Sequence, residues 1–323
     1  MGVLVAPDSF KGTLSATDVA EAIGRGVASG GAEAQLLPAA DGGEGTADAL
    51  IAAHGGAFRD APAHDPLGRP IDARFALLGD GKSAVVEAAQ ASGISLVAES
   101  DRDPEAATTA GTGELIAAAA AAGARRVLVA AGGSATTDGG AGAIEAIEAA
   151  GGLDGVKLEV ICDTAVPFER AAEVFGPQKG AGPDAVARLA ERLTARAGAL
   201  PRDPRGRAMT GAGGGLSGGL WAAFGARLVP GATYVLGALG FDRRLEGASA
   251  VVTGEGRLDA TSLEGKLVGE VAKRCREVGA PCHVIAGSVA LDDAGMRRLG
   301  ATSVAEASTL DQIEDAAAAL PLP

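Results

Sequence analysis

The chain has 323 residues and a net charge of −13, with a pI near 4.8. That charge excludes a general affinity for nucleic acid or for an anionic membrane surface. Apolar residues make up 47% and charged residues 21%, which excludes an intrinsically disordered chain, and the length favours two domains. Aromatic residues are only 3%, so the core has to be built from small aliphatic side chains. Cys162, Cys275 and Cys282 show no CxxC spacing, and no zinc-type ligand set forms around His283. An unpaired set of this kind fits buried thiols in a reducing compartment. Val3-Leu4-Val5 meets Pro7-Asp8 at once, without a leader pattern, and a cytoplasmic location is expected.

The predicted elements begin with a buried strand over 3–6, followed after Ser15 by a helix carrying Val19, Ala20, Ile23 and Val27 on one side. A second strand near 34–37 feeds Asp41, and a helix over 46–53 follows. This alternation predicts a parallel sheet with ligands at the strands' carboxyl ends. After Gly55-Gly56 the character changes. Asp65-Pro66-Leu67-Gly68-Arg69 and Gly79-Asp80-Gly81-Lys82 are turn signals between short strands, so antiparallel hairpins are expected. Further elements are a helix over 112–122, a strand over 126–130, a helix over 183–198, a strand over 249–253, a helix over 267–278 and a strand over 283–287. The expected architecture is α/β with two domains. A Rossmann-like domain with a parallel sheet takes 1–56 and 235–323, and a mixed α+β domain, 57–234, is inserted in the middle of the chain.

Five loops carry glycine beside charged or hydroxyl residues: Pro7 to Gly12, Asp41 to Thr46, Gly132 to Gly140, Phe175 to Gly180 and Thr253 to Asp259. Glycine lets a backbone turn its N–H groups onto an anion, and neighbouring carboxylates can hold a metal or take a proton. Several such loops together point to a phosphorylated nucleotide and its metal. Only six lysines stand against twenty-two arginines, and Lys11, Lys179 and Lys266 lie in or beside glycine loops. A compact ammonium suits a transferring phosphoryl group. The competing structural readings are helix capping for Asp8, Asp41 and Asp138, a solvated turn for each lysine, and a local ion pair for Glu255 with Arg257. No GxxxxGK[ST] motif occurs. Gly213 to Gly218 matches GxGxxG but follows a polar loop instead of a strand, so it reads as a phosphate-facing nest before a helix over 220–224. His54 and His64 are expected in surface turns.

In this order the motifs Ala6-Pro7-Asp8-Ser9-Phe10-Lys11-Gly12, Ala40 to Thr46, Gly111-Thr112-Gly113-Glu114-Leu115, Gly132 to Gly140, 174–181 and Thr253 to Asp259 resemble the bacterial glycerate kinase type 1 family. The resemblance spans most of the chain. It implies ATP-dependent phosphorylation of D-glycerate with Mg²⁺, on two α/β domains, and leans towards 2-phosphoglycerate as product. Relative to the family pattern the chain is shorter between Gly140 and Val160, after Cys162-Asp163, around Gly211 and at its carboxyl terminus. Those changes bear on the substrate pocket more than on the fold.

Chemistry then assigns roles. Asp8 or Asp138 would accept the hydroxyl proton, and Lys11 and Lys179 would steady the phosphoryl group. Ser9, Arg257 and Lys266 would bind substrate, with Arg257 or Ser9 on its carboxylate. Gly132, Gly133, Ser134, Thr137, Gly213 and Gly214 would line ATP, with Asp41 and Glu255 near Mg²⁺. Two other readings compete: a non-catalytic or substrate-shifted binding protein on the same scaffold, and an NAD-dependent oxidoreductase.

Overall fold

A computed structural model describes residues 2–10 and 12–322. In chain order the strands are β1 (Val3–Val5), β2 (Ala34–Leu36), β3 (Gly56–His64), β4 (Pro70–Leu78), β5 (Ser83–Glu87) and β6 (Arg126–Ala130). They continue as β7 (Lys157–Cys162), β8 (Arg227–Pro230), β9 (Ala250–Glu255), β10 (Cys282–Ala286) and β11 (Ser303–Glu306). The chain forms two compact units, Met1–Asp41 with Gly231–Pro323, and Gly42–Pro230.

The first unit is built on a five-stranded sheet in the order β2-β1-β9-β10-β11, and every pair is parallel. Val3, Leu4 and Val5 are all buried, as a parallel strand covered on both faces requires. Every strand but β2 is followed by a helix of the same unit, which makes this the expected Rossmann-like arrangement. Helix Ala16–Ser29 starts at a capping box, in which the Ser15 side chain accepts from the Asp18 N–H and the Asp18 carboxylate accepts from the Ser15 N–H. Such a cap contributes about 1 kcal/mol. The buried face of the helix is Val19, Ala20, Ile23 and Val27, the stripe its sequence predicts. Gly26 lets it lie directly on helix Leu310–Ala318, because a Cβ there would collide with the Glu314 carbonyl and Ala317.

The second unit is a six-stranded mixed sheet in the order β3-β4-β5-β6-β7-β8. β3, β4 and β5 are antiparallel neighbours, whereas β5 to β8 run parallel. The two hairpin turns are held by aspartates. Asp65 accepts from the Leu67 and Arg69 N–H groups, and Asp80 accepts from those of Lys82 and Ser83. The core collects Leu115, Ile116, Val127, Val129, Ile147, Val160, Leu216 and Leu220. A satellite cluster forms around Phe168, Leu189 and Leu193, where helix Pro183–Ala199 packs.

The sequence alone places the first boundary at 56, but the chain enters the second unit at Gly42. Helix Thr46–His54 packs on β4 and β5, so it joins their core. His64 also differs from expectation. It ends β3, and its Nδ1 lies 2.8 Å from Glu114, so it belongs to a strand and not to a turn. Among the described residues no helix is long and apolar enough to cross a membrane.

Candidate active site

In the first unit the chain leaves β1 towards β2 on one side and returns to β9 on the other. The strand order therefore reverses between β1 and β9, where an open α/β sheet leaves a crevice at its carboxyl edge. Pairing continues past both strands: the Asp8 N–H donates to Gly254 O at 2.8 Å, and the Gly287 N–H donates to Glu255 O at 3.0 Å. These bonds bring the Asp8 and Glu255 loops together around a cavity of about 370 Å³. Asp8, Ser9, Glu255, Arg257 and Lys266 all line it, as do Thr13, Asp259 and Ser308. A larger groove, about 550 Å³, lies at the amino ends of the strands by Gly2, Glu33 and Arg243. It lacks the gathered carboxylates and hydroxyls of the carboxyl edge.

Asp8 is buried, and its Oδ1 accepts from the Ser9 N–H at 2.7 Å. Lys11 lies outside the described residues. Phe10 and Leu14 form an isolated bridge, and the Thr13 hydroxyl donates to Phe10 O. Arg257 is exposed and pairs with Asp259 at 3.3 Å, a surface contact worth little on its own. Burial raises the Asp259 carboxyl, but hydrogen bonds from Thr261, the charge of Lys266 and a hydrogen bond from Arg257 outweigh it and hold the group below its ordinary value. Arg257 therefore stands beside an ionised carboxylate with donors to spare. Lys266 is half-buried at the start of helix Leu267–Val278. Asp41 is buried at the end of the segment that leads from β2.

In the second unit β6 delivers the Gly132–Gly140 loop. The Gly132 N–H donates to Gly42 O, and the Ala135 N–H donates to Ser92 O, pinning the loop at both shoulders. Ser134 and Thr136 share a hydroxyl contact of 2.7 Å, while Gly133 adopts a left-handed φ of 77°. Asp138 accepts from the N–H groups of Thr109, Gly140 and Gly142 and from the Thr109 hydroxyl. The carboxylate thus satisfies the starts of helices Ala110–Ala121 and Ala141–Ala149, which makes it a cap.

Gly213, Gly214 and Gly215 all have positive φ. The nest they form is pressed onto the Gly132–Gly140 loop: the Gly139 N–H donates to Gly214 O, and a Cβ at 214 would collide with the Thr136 carbonyl. The helix that follows is Leu216–Phe224, longer than the sequence predicts. Gly214→Ala should destabilise the protein by about 2 kcal/mol or more, read by urea unfolding, because strain at positive φ adds to the collision.

Lys179 is buried, and its Nζ donates to Thr136 O at 2.5 Å. Burial pulls its ammonium down to about 8, against the attraction of Asp163 and Asp138. The sequence did not single out two carboxylates in this unit. Asp163 directly follows β7. Glu87 ends β5, where burial raises its carboxyl while it accepts from the Ala47 N–H at 2.8 Å. Their position at strand carboxyl ends was the available signal. Thr13, Asp259 and Ser308 were also missed as site residues, and Ser308 lies just beyond β11. Among the described residues no group of three or more His, Cys, Asp or Glu is arranged to hold a metal.

Fold and loops together define a two-unit α/β protein whose polar ligand groups gather at the carboxyl ends of parallel strands. The chain belongs to the glycerate kinase family, whose model matches residues 3–151 and 147–320. It is 40% identical to the glycerate kinase of Bacillus subtilis, over 90% of this chain and 86% of that one. It is 38% identical to the glycerate 2-kinase of Escherichia coli, over 92% and 87%. A solved structure from Salmonella typhimurium LT2, described as a candidate glycerate kinase 2, superposes with a TM-score of 0.78 at 34% identity, covering 98% of this chain and 96% of that one.

Proposed function

We propose that the protein is an ATP-dependent glycerate kinase of the type 1 kind, which phosphorylates D-glycerate to 2-phosphoglycerate. The observation that carries this reading is the switch-point cavity, which combines a buried aspartate, a hydroxyl, a guanidinium and an ammonium. D-Glycerate is a small hydroxy acid with complementary groups. In the proposed arrangement Arg257 and Lys266 hold its carboxylate, Ser9 donates to a hydroxyl, and Asp8 accepts the proton of the attacking 2-hydroxyl. Asp138, saturated by N–H and hydroxyl donors, keeps the Gly132–Gly140 loop in shape and leaves the proton to Asp8. Positioning and charge neutralisation are what phosphoryl transfer asks of a protein.

Gly132, Gly133, Ser134 and Thr137 receive the nucleotide, and Gly213 and Gly214 support them from behind. Lys179 places positive charge beneath that loop, and Lys11 carries the same charge in the Asp8 loop. Mg²⁺ usually takes one or two carboxylates, with phosphates and waters completing its shell. The hard oxygen donors of Asp41 and Glu255, both buried, fit such a site, and Mg²⁺ there would neutralise phosphate charge. The free, buried cysteines fit a reducing, cytoplasmic setting.

Arg257→Ala tests the substrate assignment. KM for D-glycerate should rise about tenfold or more, with KM for ATP within twofold, since a charge-assisted pair contributes about 1.5–3 kcal/mol. An unchanged KM for glycerate would remove Arg257 from the substrate site. Lys11→Ala should lower turnover by about a hundredfold, and retention of wild-type turnover would end its role.

A further inference from the structure

We propose that the pocket between the Gly132–Gly140 loop and helix Pro183–Ala199 receives the purine ring of the nucleotide. This inference rests on the nucleotide reading above. The pocket has a volume of about 340 Å³, and most of its wall is apolar, from Ala141, Leu193, Ala195 and Ala199. Thr137, Asp138, Arg192 and Arg196 complete the lining; Thr137 is buried at 1% exposure, and neither its Oγ1 nor Arg196 Nε has a hydrogen-bond partner among the described residues. A buried hydroxyl without a partner costs about 1–3 kcal/mol, so its retention calls for a ligand that satisfies it.

The chemistry selects the base over the phosphates. A hydroxyl both donates and accepts, which suits a ring nitrogen beside an exocyclic amine. The Arg196 side chain offers an N–H and a planar cation able to stack on an aromatic ring. The remaining charges are engaged: Arg192 donates to Glu105 O at 2.6 Å, and the Asp138 carboxylate is used for capping. An apolar wall with no uncommitted cluster of cations is a poor phosphate site. Thr137 lies three residues beyond Ser134 on the same loop, so phosphates at Gly133 and Ser134 and a base at Thr137 would be read by one continuous motif.

The test uses the full-length protein with Thr137→Val, which removes only the hydroxyl, and Ala195→Trp, which fills the pocket from an exposed helix position. ADP binding is measured by calorimetry and stability by urea unfolding. Both variants should bind ADP about tenfold more weakly, the equivalent of one hydrogen bond or a blocked ring. Thr137→Val should be no less stable than the wild type, because it buries a methyl in place of an unsatisfied hydroxyl. Wild-type affinity in both variants, or weakened binding only where stability has also fallen, would overturn the base assignment and leave the nucleotide reading intact. Failure of the wild-type protein itself to bind ADP would remove that reading and this inference with it.

Discussion

Lys179→Met is expected to keep or raise the stability of the protein while lowering its turnover about a hundredfold or more. The ammonium is buried, and its value falls from the ordinary 10.5 to about 8, so its surroundings disfavour the charged form despite Asp163 and Asp138. That difference corresponds to roughly 3 kcal/mol against the fold at neutral pH. The sign follows from proton counts. Below pH 8 both folded and unfolded chains carry the proton, and the penalty is present in full. Between 8 and 10.5 the unfolded chain holds the proton and the folded one has released it, so stability rises with pH. Methionine fills the space without the charge and should flatten this limb.

Activity should move the opposite way. If the charged form is the working one, wild-type turnover falls as pH rises through about 8. A buried charge that weakens the fold marks Lys179 as a candidate functional group. Urea unfolding at several pH values and a pH–rate profile check both limbs. A Lys179→Met protein that is much less stable yet still turns over would assign the lysine to structure alone.

The second large effect is expected at Asp8. Asp8→Asn keeps an oxygen to accept from the Ser9 N–H, so the turn after β1 should survive. It removes the group proposed to accept the hydroxyl proton, and turnover should drop by about 10²–10⁴. KM for ATP should stay within twofold, because the loops proposed to receive the nucleotide belong to the second unit. Steady-state kinetics against both substrates separate these effects. Near wild-type turnover in Asp8→Asn would remove the aspartate from the chemistry.

Much of the fold was legible because short apolar runs end in glycine-bearing loops. Val3–Val5 and Arg126–Ala130 declare themselves in this way, and helix Leu267–Val278 falls where its sequence places it. The four-residue strands β8 and β11 carry too little pattern to be read, since their place is set by pairing with β7 and β10. The boundary at Gly42 was hidden for a similar reason. Nothing local in Thr46–His54 says which sheet the helix covers.

The site was legible as loops but less so as roles. A run such as Gly213-Gly214-Gly215 looks the same whether it faces a phosphate or another backbone, and only the close approach to Thr136 distinguishes the two. Asp138 read in the sequence as a candidate for taking the proton, with helix capping as the rival, and its donors point to the cap. Glu87 and Asp163 stayed unseen because an isolated carboxylate carries no motif.

The most direct test of the central claim is turnover of the purified protein with ATP, Mg²⁺ and D-glycerate, coupled to enolase and pyruvate kinase with no phosphoglycerate mutase present. The predicted result is immediate pyruvate formation, since enolase converts 2-phosphoglycerate directly into the phosphoenolpyruvate that pyruvate kinase consumes together with the ADP. Pyruvate that requires added mutase would move the phosphate to the 3-hydroxyl, and no pyruvate under either condition would contradict the assignment as a glycerate kinase.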